Sequence, residues 1–212
     1  MACAICETRR PRRFCPGVRG DICAPCCGAE REVTVDCPLD CEYLRESRKH
    51  DKPQPPLGDL PNRDIHVTEE FLEEHRGLLT FVSGAVLRAA SETPGVVDFD
   101  VREALEALIR TYRTLQSGVY YDSLPSNPLA GAIYSAVRMA GDEYRKQEQQ
   151  HLGMSRTRDT DVLGLLVFLQ HFELASNNGR RRGRAFLEML HGVYAGAVAA
   201  EEPRKVSSLV LP

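Results

Sequence analysis

Asp161–Phe172 reads DVLGLLVFLQHF, apolar from Val162 to Leu169 with Gly164 as the one interruption. A helix that is apolar nearly all round is one surrounded by other helices. The run is also far short of the roughly 20 residues that cross a bilayer. The stretch therefore predicts a helix over about 161–176 near the centre of a bundle, closed at Asn178-Gly179 by a left-handed cap.

Working outward, the neighbouring segments carry the stripes of helices that pack around such a centre. Thr68 caps a first helix, with Glu69 and Glu70 in its opening turn. Phe71, Leu78, Val82, Ala85 and Ala89 mark its apolar face, and Pro94-Gly95 ends it. Asp100 with Glu103 gives a capping-box variant ahead of Val101, Leu105, Leu108, Tyr112 and Leu115, and Gly118 is the stop. Asn127-Pro128 starts a third helix, striped by Leu129, Ile133, Val137, Ala140 and Tyr144. A last helix runs from about Gly183 to Gly196 through Phe186, Leu187, Leu190 and Tyr194. The expected class is mostly α, an antiparallel bundle of about five helices preceded by a small Cys-rich module.

The division into modules comes from cysteine and proline. All eight cysteines fall between Cys3 and Cys41, and residues 42–212 have none. Residues 48–66 carry Pro53, Pro55, Pro56 and Pro61, which fix φ and remove backbone donors, so an extended connector is expected there. The boundaries read 1–47 for the Cys-rich module, 48–66 for the Pro-rich linker and 67–212 for the helical domain. With 42% hydrophobic and 27% charged residues the chain reads as globular, and a net charge of −3 gives no global pull toward nucleic acid. Cysteines and arginines stand where a secretory leader would be apolar, so a cytoplasmic protein, without a membrane role, is expected.

The cysteine spacing points to metal. Cys3-x2-Cys6 and Cys23-x2-Cys26 are two knuckles, each able to aim two sulfurs at one ion about 2.3 Å away. Cys3, Cys6, Cys23 and Cys26 make a first tetrahedral set, and Cys15, Cys27, Cys37 and Cys41 a second. The ligand pairs then interleave as a cross-brace, and adjacent Cys26 and Cys27 serve different ions, with their roles interchangeable. A disulfide framework belongs to an oxidising compartment, an iron–sulfur cluster uses the same four-thiolate shell, and a redox pair needs a βαβ context that is missing. Zinc, two ions of it, is the favoured reading, because closed thiolate sites select it. Such ions replace a core that Ile5, Phe14, Val18, Ile22, Val33, Val35, Leu39, Tyr43 and Leu44 are too few to build. A closed shell leaves no open coordination position, so the zinc is structural and no catalytic residue is assigned. Chelation is expected to unfold the module and spare the helical domain.

The order CAIC, RFCP, ICAPCC and CPLDC resembles the cross-brace zinc fingers of the HIT and MYND type, over about 40 residues. It differs from them at Val18, where a second cysteine follows the Cys-Pro, and at Cys37 and Cys41, where they end in a His-Cys pair. The resemblance implies a module that binds protein partners.

Weaker patterns suggest other chemistry. Arg9, Arg10, Arg12 and Arg13 with Arg19 make residues 1–20 net +4, either a phosphate-binding loop for nucleic acid or a counter-charge to thiolates bound to zinc. Asn177–Arg184, NNGRRRGR, places Arg180, Arg181, Arg182 and Arg184 at a helix start, where they could hold a phosphate or carboxylate or could line a solvated turn. Glu148 with His151 and Glu188 with His191 have the spacing of a bundle di-metal enzyme, with Glu70 or Glu73 and Glu103 or Glu106 as the further carboxylates. Tyr120 and Tyr121 sit in a loop and are expected to tuck against the bundle. The functional expectation is a non-catalytic zinc-binding interaction or scaffold protein, with a nucleic-acid-associated regulator as the alternative.

Overall fold

The structure is a computed structural model and describes residues 2–50 and 60–201. It is mostly helical with a small cysteine-rich module at the N-terminal end. The module holds β1 (Arg13–Cys15), β2 (Gly20–Ile22), α1 (Ala24–Glu30) and α2 (Glu42–Arg48). The helical part holds α3 (Glu69–Glu74), α4 (Arg76–Glu92), α5 (Asp98–Gln116), α6 (Pro128–Leu152), α7 (Asp159–Ser176) and α8 (Ala185–Glu201).

The stretch that predicted a central helix is α7. Val162, Leu163, Leu165, Leu166, Val167 and Leu169 are all buried, in one core with Leu105 and Leu108 of α5 and Phe186 and Leu187 of α8, the helices against which α7 mainly lies. Gly164 is needed on this helix, because a Cβ there would stand 2.7 Å from the Phe71 ring. β1 and β2 form an antiparallel hairpin in which Phe14 pairs with Asp21.

The predicted first helix is two helices, α3 and α4, broken at His75. Thr68 does cap the start, its hydroxyl accepting from Phe71 N at 3.2 Å. The His75 ring stacks on Phe71 with centroids 4.4 Å apart, and its Nδ1 lies 2.9 Å from the Phe71 carbonyl oxygen. Its Nε2 reaches within 3.7 Å of Asp161 on α7. These contacts hold His75 out of helical geometry, at φ −104° and ψ 19°.

The start of α5 also differs. It begins at Asp98, and Val97 N donates to Asp100 Oδ2 at 2.8 Å, so Asp100 closes the cap from inside the first turn. Glu103 is absent from that cap because it accepts from Ser126 N and Asn127 N, at 2.9 and 3.2 Å. Asn127 caps α6 as the sequence indicates, accepting from Leu129 N at 3.0 Å, and its Nδ2 donates to Asp100 Oδ1 at 2.5 Å. Starts of α5 and α6 are thereby tied together.

Residues 51–59 of the proline-rich connector lie outside the described residues. Its end is fastened to the bundle: Asn62 Nδ2 donates to Gln170 Oε1 at 2.7 Å, and Arg113 bonds both Asn62 and Asp64. Among the described residues no helix is long and apolar enough to cross a membrane.

Candidate metal centre

The first knuckle is built by the backbone around Cys3 and Cys6. Glu7 N bonds the Cys3 carbonyl at 2.8 Å and Cys3 N bonds the Arg9 carbonyl at 2.9 Å, closing a tight loop. Glu7 turns the chain through the left-handed region, at φ 55°. β2 delivers the chain to the second knuckle. Cys23 caps α1 in an extended conformation with Pro25 in the opening turn, and its N–H donates to Cys3 Sγ at 3.2 Å. Amide-to-sulfur bonding of this kind fixes the orientation of a metal-ligating sulfur.

Four sulfurs meet at this point. Those of Cys3, Cys6, Cys23 and Cys26 all lie within 4.8 Å of one another. The Cys6 and Cys23 sulfurs are 4.0 Å apart. A tetrahedron with bonds of about 2.3 Å has edges of about 3.8 Å. The set therefore fits a metal ion, whereas a disulfide needs sulfurs about 2 Å apart. Cys26 and Cys27 share the first turn of α1, and a helix rotates about 100° per residue. That rotation sends Cys26 to this group and Cys27 elsewhere.

The electrostatics are those of ligands gathered for a cation. Cys6 is pulled down to about 5 by the Thr8 hydroxyl and by the amides of Thr8 and Arg9. Cys3 is also lowered, first by the Cys6 amide. Cys26 is pushed up to about 12 by the Cys23 sulfur, burial and the sulfurs of Cys6 and Cys3. Four thiolates so close repel one another until a positive ion joins them.

Cys15, Cys27, Cys37 and Cys41 also converge. They line one small cavity of about 10 Å³ beneath α2, with Arg13 and Arg31 at its edge. That is room for a single water-sized body. The sulfurs do not draw in as tightly as the first set, the only close donor group among the described residues. Burial pushes the Cys37 thiol up, with the Glu32 charge and the neighbouring Cys15 and Cys41 adding to it, against a hydrogen bond from the Glu32 amide.

Apart from cysteines, Ile22, Val35 and Leu44 are the buried apolar side chains of the module, while Phe14 is 62% exposed. Three such side chains cannot offset the ordering of nearly fifty residues.

The arginines divide into two groups. The Arg9 guanidinium bonds the Cys23 sulfur, which raises its own pKa further. Arg13 and Arg31 both reach the Cys27 sulfur, each at 3.8 Å, and Arg13 also lies 4.0 Å over the Tyr43 ring. Arg13 is half-buried where it offsets sulfur charge, and Arg9 does so while exposed, as Arg10 and Arg12 also are.

The Asn177–Arg184 turn holds an anion, and the anion is a carboxylate of this chain. Glu32, 2% exposed, accepts from Asn178 Nδ2 at 2.8 Å, from Arg184 N at 3.1 Å and from Arg48 Nη2 at 2.6 Å. The Glu32 carbonyl accepts from Arg182 N at 2.8 Å, and the Arg31 carbonyl from Arg180 Nη1 at 2.6 Å. Arg184 also pairs with Asp36 at 3.2 Å and bonds the Val96 carbonyl. Arg181 and Arg182 project their side chains into solvent. Nothing in the sequence pattern singles out Glu32, Arg31 or Arg48. Their partners lie about 150 residues away or depend on the left-handed backbone at Glu32, φ 53°.

The Glu-x-x-His pairs are not brought together. Glu148 accepts from Ser155, Arg156 N and Thr157 N and shapes the loop after α6. Glu188 pairs with Arg48, and His151 and His191 are exposed. Glu70 and Glu73 face solvent and Glu103 serves the Ser126–Asn127 amides, so no bundle metal site forms from these residues. Tyr120 and Tyr121, expected to tuck inward, are 72% and 64% exposed. The reason is that the loop backbone itself is what is pinned: Ser123 N donates to Thr111 Oγ1, and Asp122 is held by Arg138 and Tyr134.

Compared with protein-family models, with curated proteins and with solved structures, the chain matches none.

Proposed function

We propose that the chain is a non-catalytic zinc protein whose N-terminal module, folded around two structural zinc ions, serves as an interaction or scaffold element with its helical domain. One observation carries the reading: four sulfurs within 4.8 Å of one another in a segment whose small core is made mostly of cysteine. Cys3, Cys6, Cys23 and Cys26 hold the first ion, and Cys15, Cys27, Cys37 and Cys41 the second. Metal supplies the folding free energy that three buried side chains cannot, about 10–16 kcal/mol for a structural zinc site. A shell of four thiolates leaves water and substrate no position, which supports a structural and not a catalytic ion. The exposed apolar side chains of Val119, Tyr120, Tyr121 and Leu124, on a backbone fixed by hydrogen bonds, support a protein partner, since rigid aromatic anchors dominate such interfaces.

The second reading, a nucleic-acid-associated regulator in the cytoplasm, draws on the exposed Arg10 and Arg12 beside the exposed Phe14. Hydrogen exchange on the full chain, with and without a chelator, tests the main proposal. Chelation is expected to strip amide protection from residues 2–41. Unchanged protection there after metal removal would refute the structural role.

A further inference from the structure

The module and the helical domain meet at a polar seam whose centre is Glu32. The carboxylate is buried, and every donor to it comes from elsewhere in the fold: Asn178, the Arg184 amide and Arg48 at the end of α2. Glu32 also adopts φ 53°, a region that residues with a Cβ rarely visit. Strain of that kind persists where surroundings over-determine it, and here both the carboxylate and the carbonyl of Glu32 are used across the seam.

On the module side, Glu32 and Arg31 each lie next to a cysteine of the second set, and Arg48 lies on the helix that begins at another. Glu32 lies close enough to Cys37 for its amide to lower the thiol and its charge to raise it. Arg31, whose carbonyl takes Arg180 Nη1, sends its own guanidinium to the Cys27 sulfur at 3.8 Å. Cys41 caps α2, and α2 ends at Arg48, which pairs with both Glu32 and Glu188. The first set has no such connection among the described contacts.

We propose that Glu32 is a latch that fills the Asn178–Arg184 turn, and that metal in the Cys15–Cys27–Cys37–Cys41 set holds the latch closed. This rests on the second set binding an ion, as argued above. With the ion present, Cys37, Cys27 and Cys41 fix the positions of Glu32, Arg31 and Arg48, and the three converge on the turn. Without it, α2 and the Glu32 loop lose their common anchor. The carboxylate then withdraws, leaving the Asn178 amide, the Arg184 N–H and the Arg180 guanidinium open to solvent. Metal loss in the module is thereby communicated to the start of α8.

Trypsin provides the readout, since it cuts after arginine and the turn offers Arg180, Arg181 and Arg182. Cleavage at these sites, mapped by mass, is measured on the full chain with zinc and after chelation. The same is done for Glu32→Gln, for Cys41→Ser and for Asn178→Asp, which places a repelling carboxylate opposite Glu32 while leaving the module intact. Cleavage through local opening follows the open population, and loss of a charge-assisted hydrogen bond raises that population about tenfold or more. Zinc-loaded wild type is expected to cut slowly. Chelated wild type, Cys41→Ser, and zinc-loaded Glu32→Gln and Asn178→Asp are expected to cut roughly tenfold faster, with chelation adding little to Glu32→Gln.

Equal rates for zinc-loaded wild type, Glu32→Gln and Asn178→Asp, with two zincs in each, would overturn the latch and leave the two-ion reading standing. One zinc per chain, lost from Cys3→Ser and kept by Cys41→Ser, would overturn the two-ion reading and the metal control together, even with the Glu32→Gln effect intact. Chelation accelerating cleavage equally in Glu32→Gln and wild type would show that metal acts by another route and would also overturn the proposal.

Discussion

Asp98→Asn probes how the start of α8 is held. The Asp98 carboxylate is fully buried and accepts from Phe186 N at 2.9 Å and Leu187 N at 3.2 Å, capping α8 from another helix. Burial pushes its pKa from 3.8 up to about 7, with Glu173 and Glu32 adding to the rise and the two amides opposing it. The rise corresponds to roughly 4 kcal/mol between the protonated and ionised forms. Because the folded value is the higher one, the native state binds more protons than the unfolded chain between pH 3.8 and about 7. The associated stability is fully present below 3.8 and is lost as pH rises through 7. From pH 5 to pH 8 wild type should lose roughly 2–3 kcal/mol relative to Asp98→Asn. The substitution adds a pH-independent cost of about 1–3 kcal/mol, because the asparagine amide faces one N–H it cannot accept from. Urea unfolding at intervals from pH 5 to pH 8, followed by circular dichroism on zinc-loaded protein, gives the difference curve, in which effects common to both proteins cancel. Parallel stability profiles for the two proteins would show that the Asp98 carboxyl does not titrate at a raised pKa in the folded protein.

Other perturbations test separate contacts. Glu173 is fully buried and held by Arg102 Nε and Nη2 at 2.7 and 3.1 Å, so Arg102→Met should cost about 3–5 kcal/mol and lower Tm by about 10 °C in a thermal melt. Gly164→Ala places a methyl 2.7 Å from the Phe71 ring and should cost about 1–3 kcal/mol in urea unfolding, while Gly131→Ala, which meets nothing within 4 Å, should be neutral or stabilising. Arg13→Ala removes a guanidinium from the Cys27 sulfur and should weaken zinc retention about 10–100-fold in a chelator competition. Arg10→Ala with Arg12→Ala should leave zinc retention unchanged. If the nucleic-acid reading holds, the same double change abolishes salt-sensitive RNA or DNA binding in a gel-shift series.

Much of the helical half was legible because burial writes a period into sequence. The all-round apolar run of α7 and the Asn127-Pro128 start needed nothing beyond local pattern. The break at His75 was invisible, since it depends on a ring stacking back on Phe71 and reaching toward Asp161 across the bundle. The knuckle spacing exposed the first cysteine set, and the rotation of α1 was needed to separate Cys26 from Cys27. The arginine turn left an anion site and a solvated turn both open from its composition. Its occupant, Glu32, was hidden because the pairing spans 146 residues from Glu32 to Asn178 and couples two parts of the chain that sequence patterns treat separately. That coupling also alters an expectation: chelation should lower the melting temperature of the helical domain as well as unfold the module, since Asn178, Arg184 and Glu188 lose their partners.

The most direct test of the two-zinc account is mass measurement of the intact, natively purified chain under non-denaturing conditions, repeated after acid denaturation. Two zinc ions per chain are expected, both lost on denaturation with all eight cysteines recovered as free thiols. A chain carrying no metal, an iron–sulfur mass increment, or cysteines recovered as disulfides would contradict it.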